Sequence, residues 1–305
     1  MLPLVLISVI TTVSGHGGML WPPIWQDGHG TPLEEVTTTN VYSEPMVKDP
    51  ITGREINQVK TWLTDQAYLG GHGEEYKGVG NVTNPECKKK SGYGKKKAPW
   101  AAPGRAPSLG GGCGIFGGNP YGCPAGNDTR SPVDRPTCGQ YSNKRGTFAF
   151  GSSALDITFP LAMTTEWELG SWQDVAWVSR GSHWGGYTYR LCKLPQEGKS
   201  GITEECFAQN VLQFATPFTM LRNLEETGKW KKIDQVDLTE GTYPEGSAWR
   251  HVGEVAKQQP GYLRKDKVIV PADLPEGEYV LSFRWDTKAP QIWVSCSNIR
   301  LILPA

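Results

Sequence analysis

Long apolar runs are scarce in this sequence. After residue 15 no segment stays apolar for long enough to anchor the chain in a membrane. Net charge is missing too: 31 Lys plus Arg balance 31 Asp plus Glu, which removes the electrostatic footprint of a nucleic-acid binder. No Cys-x-x-Cys pair occurs, so a structural zinc site is not expected. Internal repeats and long amphipathic helices are lacking, as is a pair of carboxylates flanking a cleft motif of the kind a glycoside hydrolase uses. Histidine is sparse, with 5 residues in 305.

What the chain has instead is turn formers and aromatics: 37 Gly, 23 Pro and 12 Trp. Such a composition favours sheets over helix bundles. Residues 1–15 form a short, uncharged apolar stretch ending in small residues, with Val13 and Gly15 before the expected cut. It is too short to span a bilayer and reads as a secretory signal peptide. The mature chain then begins at His16 and is secreted and extracellular. Seven cysteines (Cys87, Cys113, Cys123, Cys138, Cys192, Cys206 and Cys296) suit an oxidising compartment, with one left over from pairing. Cys192 and Cys206 flank a short strand connection and are the expected disulfide. Asn81 and Asn127 open glycosylation sequons.

Residues 16–305 read as a single domain with a loop-rich insertion at about 70–145. That insertion is dense in Gly, Pro and Lys and holds four of the cysteines. Its lysine run, Lys88 to Lys97, reads first as a solvated loop and second as a contact for an anionic surface. From Gly146 onward the pattern turns to period two. Tyr187, Tyr189 and Leu191 alternate with Thr188 and Arg190; Tyr279, Leu281, Phe283 and Trp285 alternate with Val280, Ser282 and Arg284; Ile299, Leu301 and Leu303 line up likewise. Short strands bounded by Gly, Pro and Asp point to an antiparallel, immunoglobulin/fibronectin-III-like β-sandwich with long disulfide-stapled loops.

A histidine at a mature N-terminus is a distinct chemical object. Its α-amine, with an ordinary pKa near 8, and its own imidazole can chelate one metal ion together. An imidazole from elsewhere completes a planar set of three neutral nitrogens, which suits Cu(II). The partner of His16 is one of His29, His72, His183 and His251. His183 stands in Arg180-Gly-Ser-His-Trp-Gly-Gly-Tyr-Thr-Tyr-Arg-Leu-Cys192, a glycine-flanked turn entering a strand, where a side chain is held by a rigid element yet stays accessible. His72, in Gly70-Gly-His-Gly-Glu-Glu75, is the rival: a solvated loop, an alternative ligand or a second metal site. His29 and His251 have no partner at recognisable spacing.

His16 after a signal, the following Trp21-Pro-Pro-Ile-Trp25, the His183 segment and Pro290-Gln-Ile-Trp-Val-Ser-Cys296 together resemble the copper-dependent lytic polysaccharide monooxygenases. The likeness is to the animal and arthropod branch (auxiliary activity family 15-like) and covers roughly residues 16–25 and 147–303. It implies one copper ion held by His16 and His183, an external reductant, and hydrogen peroxide or oxygen as co-substrate for oxidative cleavage of an insoluble polysaccharide such as chitin or cellulose. It also implies that Gln291 hydrogen-bonds beside the metal's own ligands and that Trp293 fills the axial side; period two puts both on one strand face. The family usually has Tyr or Phe at that position. Trp293 has no ligating atom, so it can only shape the site or pack in the core. Trp21, Trp25 and Trp184 are candidate sugar-stacking residues. The likeness further implies a monomer acting with an electron donor, without nucleic-acid or membrane partners. Two other readings use the same residues: a secreted copper-binding protein without oxygenase activity, and a matrix or cuticle polysaccharide-binding module.

Overall fold

The computed structural model describes residues 16–25, 32–37, 47–48, 51, 55–56, 63–64, 104, 110–116, 153–159, 163–180, 185–226, 228–239, 242–252, 261–286 and 292–305. The expected signal peptide and sequons, the lysine run, and Cys87, Cys123 and Cys138 lie outside these residues, as does most of the insertion at 70–145.

The strands run in chain order as β1 (His16–Trp21), β2 (Val47–Lys48), β3 (Glu55–Ile56), β4 (Leu63–Thr64), β5 (Ile115–Phe116), β6 (Thr164–Glu168), β7 (Trp172–Arg180), β8 (Gly186–Lys193), β9 (Gln213–Phe214), β10 (Phe218–Asn223), β11 (Trp230–Asp234), β12 (Asp237–Leu238), β13 (Trp249–His251), β14 (Tyr262–Ile269), β15 (Gly277–Asp286) and β16 (Ile292–Ile302). A short helix, α1 (Glu204–Gln209), lies between β8 and β9. The Thr203 hydroxyl caps it, accepting from the Cys206 amide. Among the described residues no helix is long and apolar enough to cross a membrane.

Two six-stranded sheets face each other. The first runs β1-β7-β14-β10-β11, with β9 also on β14; the second runs β12-β13-β8-β15-β16-β6. This is the all-β sandwich the period-two runs call for. All pairings within the two sheets are antiparallel except β16 with β6, which is parallel. Trp167, Trp177, Tyr187, Tyr189, Leu281, Phe283, Trp285, Trp293, Ile299 and Leu301 interleave between the sheets as the main core. Tilted and edge-on ring contacts join the aromatics there, from 4.8 Å for Trp177–Tyr187 to 6.3 Å for Trp285–Trp293.

In two places the strands depart from the expected half-buried alternation. In β8 and β15 the polar positions Thr188, Arg190, Ser282 and Arg284 are as buried as the aromatics. A second layer covers their face: Trp25, Cys113, Ala154, Ile157, Ile202, Phe207 and Val280 pack with Cys192 and Cys296. Several of the polar groups there are paired, as burial favours, although Arg190 Nε has no hydrogen-bond partner among the described residues. Ser282 Oγ donates to Gly112 O at 2.7 Å, Arg190 donates to Ser282 Oγ, and Glu204 accepts from Arg190. The other departure is Leu303, which lies past the end of β16 and is 60 % exposed.

Disulfides Cys192–Cys206 and Cys113–Cys296 fasten this layer to the second sheet. The first is the pair read from sequence; the second ties the 110–116 turn to β16.

Candidate metal centre

β1 opens at His16, and its register with β7 pairs His16 with Arg180 and Gly17 with Ser179. Arg180 ends β7, and the chain then passes through 181–184 to Gly186, which opens β8. Gly186 pairs with Asp286 at the end of β15, and Asp286 pairs with Ile292 at the start of β16. One end of the sandwich therefore collects the first residue of β1, the connection that contains His183, and the two strand ends flanking Gln291. His183, Trp184 and Gln291 themselves lie outside the described residues, as do His29 and His72.

The segment after His16 is fixed to both sheets. Backbone pairing holds it on β7, while the Met19 amide donates to Ser295 Oγ at 2.8 Å on β16. Ser297 Oγ donates to Pro22 O at 3.0 Å, and the Trp25 amide to Cys296 O at 3.0 Å. Gly17 packs so closely that a Cβ there would stand 2.7 Å from Trp285 Cζ3 and 2.8 Å from Cε3. Trp285 is thus the indole beneath the N-terminal strand. Its place in an alternating strand had marked it only as core. Trp293 pairs in register with Trp285 and is wholly buried in the main core.

Of the candidate stacking residues, Trp25 is a correction. It is 1 % exposed: Phe159 stacks on its ring, Lys199 Nζ lies 4.4 Å from its centroid, and its Nε1 donates to Asn298 Oδ1. With its faces covered it is a packing residue. Trp21 is half-buried against Leu20, Leu33 and Val178.

His251, dismissed on sequence spacing, comes to the same end. It closes β13 and pairs with Gly186, three residues beyond His183, and the Val252 amide donates to Gly185 O. Its imidazole is 8 % exposed. Burial, reinforced by the charge of Arg264, pushes its pKa down to about 4, so it is neutral at neutral pH. No local spacing announces a cross-strand pairing of this range. Arg264 itself donates to Ser179 Oγ at 2.5 Å, next to the residue opposite His16.

Among the described residues, no three His, Cys, Asp or Glu side chains converge as a metal-binding group. A processed His16 would supply an amine and an imidazole and His183 a further imidazole, donors that fit Cu(II) in kind; His16 pairs with Arg180, at the start of the connection that leads to His183.

No family model and no curated protein matches the sequence. Among solved structures, the chain is similar to a lytic polysaccharide monooxygenase of family AA15 from Thermobia domestica in its Cu(I) state, at 14 % identity and TM-score 0.28, over 49 % of this chain and 65 % of that one. It is also similar to a cellulose-active polysaccharide monooxygenase from M. thermophila, at 19 % identity and TM-score 0.24, over 47 % and 58 %. A chitin-binding domain from Burkholderia pseudomallei aligns over 95 % of this chain and 100 % of its own, at 12 % identity and TM-score 0.37.

Proposed function

We propose that this chain is a secreted, copper-dependent polysaccharide monooxygenase whose mature terminus is His16. The observation that carries the reading is the antiparallel pairing of His16 with Arg180. It brings the residue exposed by signal cleavage to the β7–β8 connection, which carries His183. In this reading the His16 amine and imidazole and the His183 imidazole hold one copper ion. Bound there, copper supplies one-electron oxidation chemistry for attack on a sugar C–H bond of chitin or cellulose.

The chain's own residues do the positioning. β7 and Ser295 fix the strand that bears the terminus, and Trp285 sets its height above the core. In this reading Gln291, the residue before β16, would hydrogen-bond beside the metal's ligands. Trp293 closes the core behind Trp285 and offers no ligating atom.

The test begins with N-terminal sequencing of secreted protein, which should start at His16. Copper titration and electron paramagnetic resonance should then give a three-nitrogen signature that is lost in His183→Ala and in a form retaining one residue before His16. Copper binding unchanged by the extra residue sinks the reading. Reductant, peroxide and chitin or cellulose should yield oxidised oligosaccharides by mass spectrometry.

A further inference from the structure

Three aromatic rings run from the N-terminal strand to a buried carboxylate. The indole of Trp285 lies against the backbone of Gly17, the residue after His16. Its centroid is 5.1 Å from that of Trp177, and the Trp177 centroid is 4.8 Å from the phenol ring of Tyr187. All three side chains are wholly buried and pack ring on ring in the main core. Electron tunnelling weakens steeply with distance, so rings in contact exchange electrons far faster than rings set a residue further apart.

The row of rings ends where a proton can leave. Tyr187 Oη donates to Asp266 Oδ2 at 2.8 Å. An oxidised phenol is a strong acid, and an uncompensated buried charge is costly. A buried phenol therefore holds an electron vacancy only where its proton has an acceptor. Tyr189 is equally buried, yet among the described residues its Oη has no hydrogen-bond partner. The same is true of Trp177 Nε1, and the Arg264 guanidinium, 4.6 Å from the Trp177 centroid, opposes positive charge on that ring. Trp177 is thus a place of passage and Tyr187 a place of rest.

Asp266 can take the proton without stranding its neighbour. Its Oδ1 accepts from Thr219 Oγ1 and from Arg250 Nη1 at 2.9 Å. Arg250 is paired a second time, Nε to Asp237 Oδ1 at 2.9 Å. When Asp266 is neutralised, Arg250 keeps the Asp237 carboxylate as its counter-charge.

We infer that Trp285, Trp177 and Tyr187 form a redox relay in which Tyr187 holds one oxidising equivalent as a neutral radical. The electron passes from Tyr187 through Trp177 and Trp285 to a one-electron oxidant at the head of β1, which is reduced. The proton moves from Tyr187 Oη to Asp266 Oδ2. No bond but that O–H breaks, and an external reductant reverses both transfers. The identity of the natural oxidant rests on the copper reading above, whereas the relay rests on the ring geometry.

The test uses the chain beginning at His16, with a ruthenium polypyridyl photo-oxidant tethered to its N-terminal amine. The oxidant then sits at the head of β1 whether or not the protein binds copper. After a flash with an electron-accepting quencher, transient absorption should show an indole radical giving way to a tyrosyl radical, the second step slower in D2O. Tyr187→Phe, which keeps the ring, should lose the tyrosyl signal; Trp177→Phe should delay it; Tyr189→Phe should leave it unchanged. Melting temperatures establish that each variant is folded. A tyrosyl signal that survives in folded Tyr187→Phe, or is lost in folded Tyr189→Phe, overturns the inference. So does a wild-type indole radical that returns its charge to ruthenium without forming a tyrosyl radical, a result that needs no variant. With copper and hydrogen peroxide in place of the tether, freeze-quenched electron paramagnetic resonance should show the same tyrosyl radical. A radical with the tether but none with copper upholds the relay and ends the copper centre as its oxidant.

Discussion

The backbone of Gly17 rests on the indole of Trp285, at a separation that leaves no room for a single extra carbon. The indole cannot give way. It is wholly buried, with the ring of Trp177 5.1 Å away and that of Trp293 6.3 Å away. Val178 O, 3.1 Å from the same Cβ position, blocks the other escape. Any side chain at Gly17 must therefore lift β1, and with it the residue immediately before. Gly17→Ala should cost about 1–3 kcal/mol of stability by overpacking and weaken copper binding at least tenfold. Thermal unfolding and copper titration check the two effects separately. Wild-type copper affinity in a destabilised Gly17→Ala protein would show that the height of β1 does not set the metal site.

Glu204 lies between two buried guanidiniums. Arg190 donates to it directly, and Arg284 Nη1 lies 3.4 Å from its carboxylate. Burial alone would raise its pKa, but the charges and hydrogen bonds of Arg190 and Arg284 outweigh that and hold the carboxyl below its ordinary value. The stabilisation is present above the unfolded carboxyl pKa of about 4.3 and fades as pH falls below it. Glu204→Gln leaves two cations facing each other under the α1 layer. A loss of about 3–5 kcal/mol is expected, read as a lowered denaturant midpoint at pH 7. A loss near zero would mean that the guanidiniums find other partners.

His251 makes a second pH dependence, of opposite chemistry and the same direction. Its folded pKa is pushed down to about 4 by burial and by Arg264, while in the unfolded chain it titrates near 6.5. Above pH 6.5 the imidazole is neutral in both states and adds no slope. As pH falls from 6.5 toward 4 the unfolded chain takes up a proton that the fold refuses, and stability drops by up to about 3 kcal/mol. Urea unfolding at pH 7 and pH 4.5 should show the decline, and His251→Gln should flatten it. An equal decline in the variant would assign the slope to carboxylates such as Glu204.

The strands were legible in the sequence because β8 and β15 carry their apolar residues two apart, and Gly, Pro and Asp bound them. The covering of their other face was not. Arg190 and Ser282 look like solvent positions until α1 and the 110–116 turn are folded over them, and that depends on Cys113 meeting Cys296, a pairing of distant residues with no local signature. Trp25 failed as a stacking candidate for the same kind of reason, since Phe159 and Lys199, which cover it, come from far along the chain. At the proposed site, His16 and His183 stand out in the sequence by chemistry and by their flanking glycines. Trp285, His251 and Asp286 do not, because their meaning lies in register: Trp285 faces Gly17, His251 faces Gly186, and Asp286 faces both Gly186 and Ile292.

The two disulfides should differ in what they contribute, and the difference separates chain entropy from packing. Cys192 and Cys206 are 14 residues apart, whereas Cys113 and Cys296 are 183 apart. If each acts mainly by restricting the unfolded chain, removing the first costs about 3 kcal/mol and removing the second about 5. The second also holds the 110–116 turn, whose Gly112 carbonyl accepts from Ser282, so its loss exposes the polar layer under that turn as well. Cys113→Ser with Cys296→Ser should therefore lower the unfolding midpoint clearly more than Cys192→Ser with Cys206→Ser. The reverse order would show that seating α1, with Phe207 in the second core, outweighs the length of the closed loop.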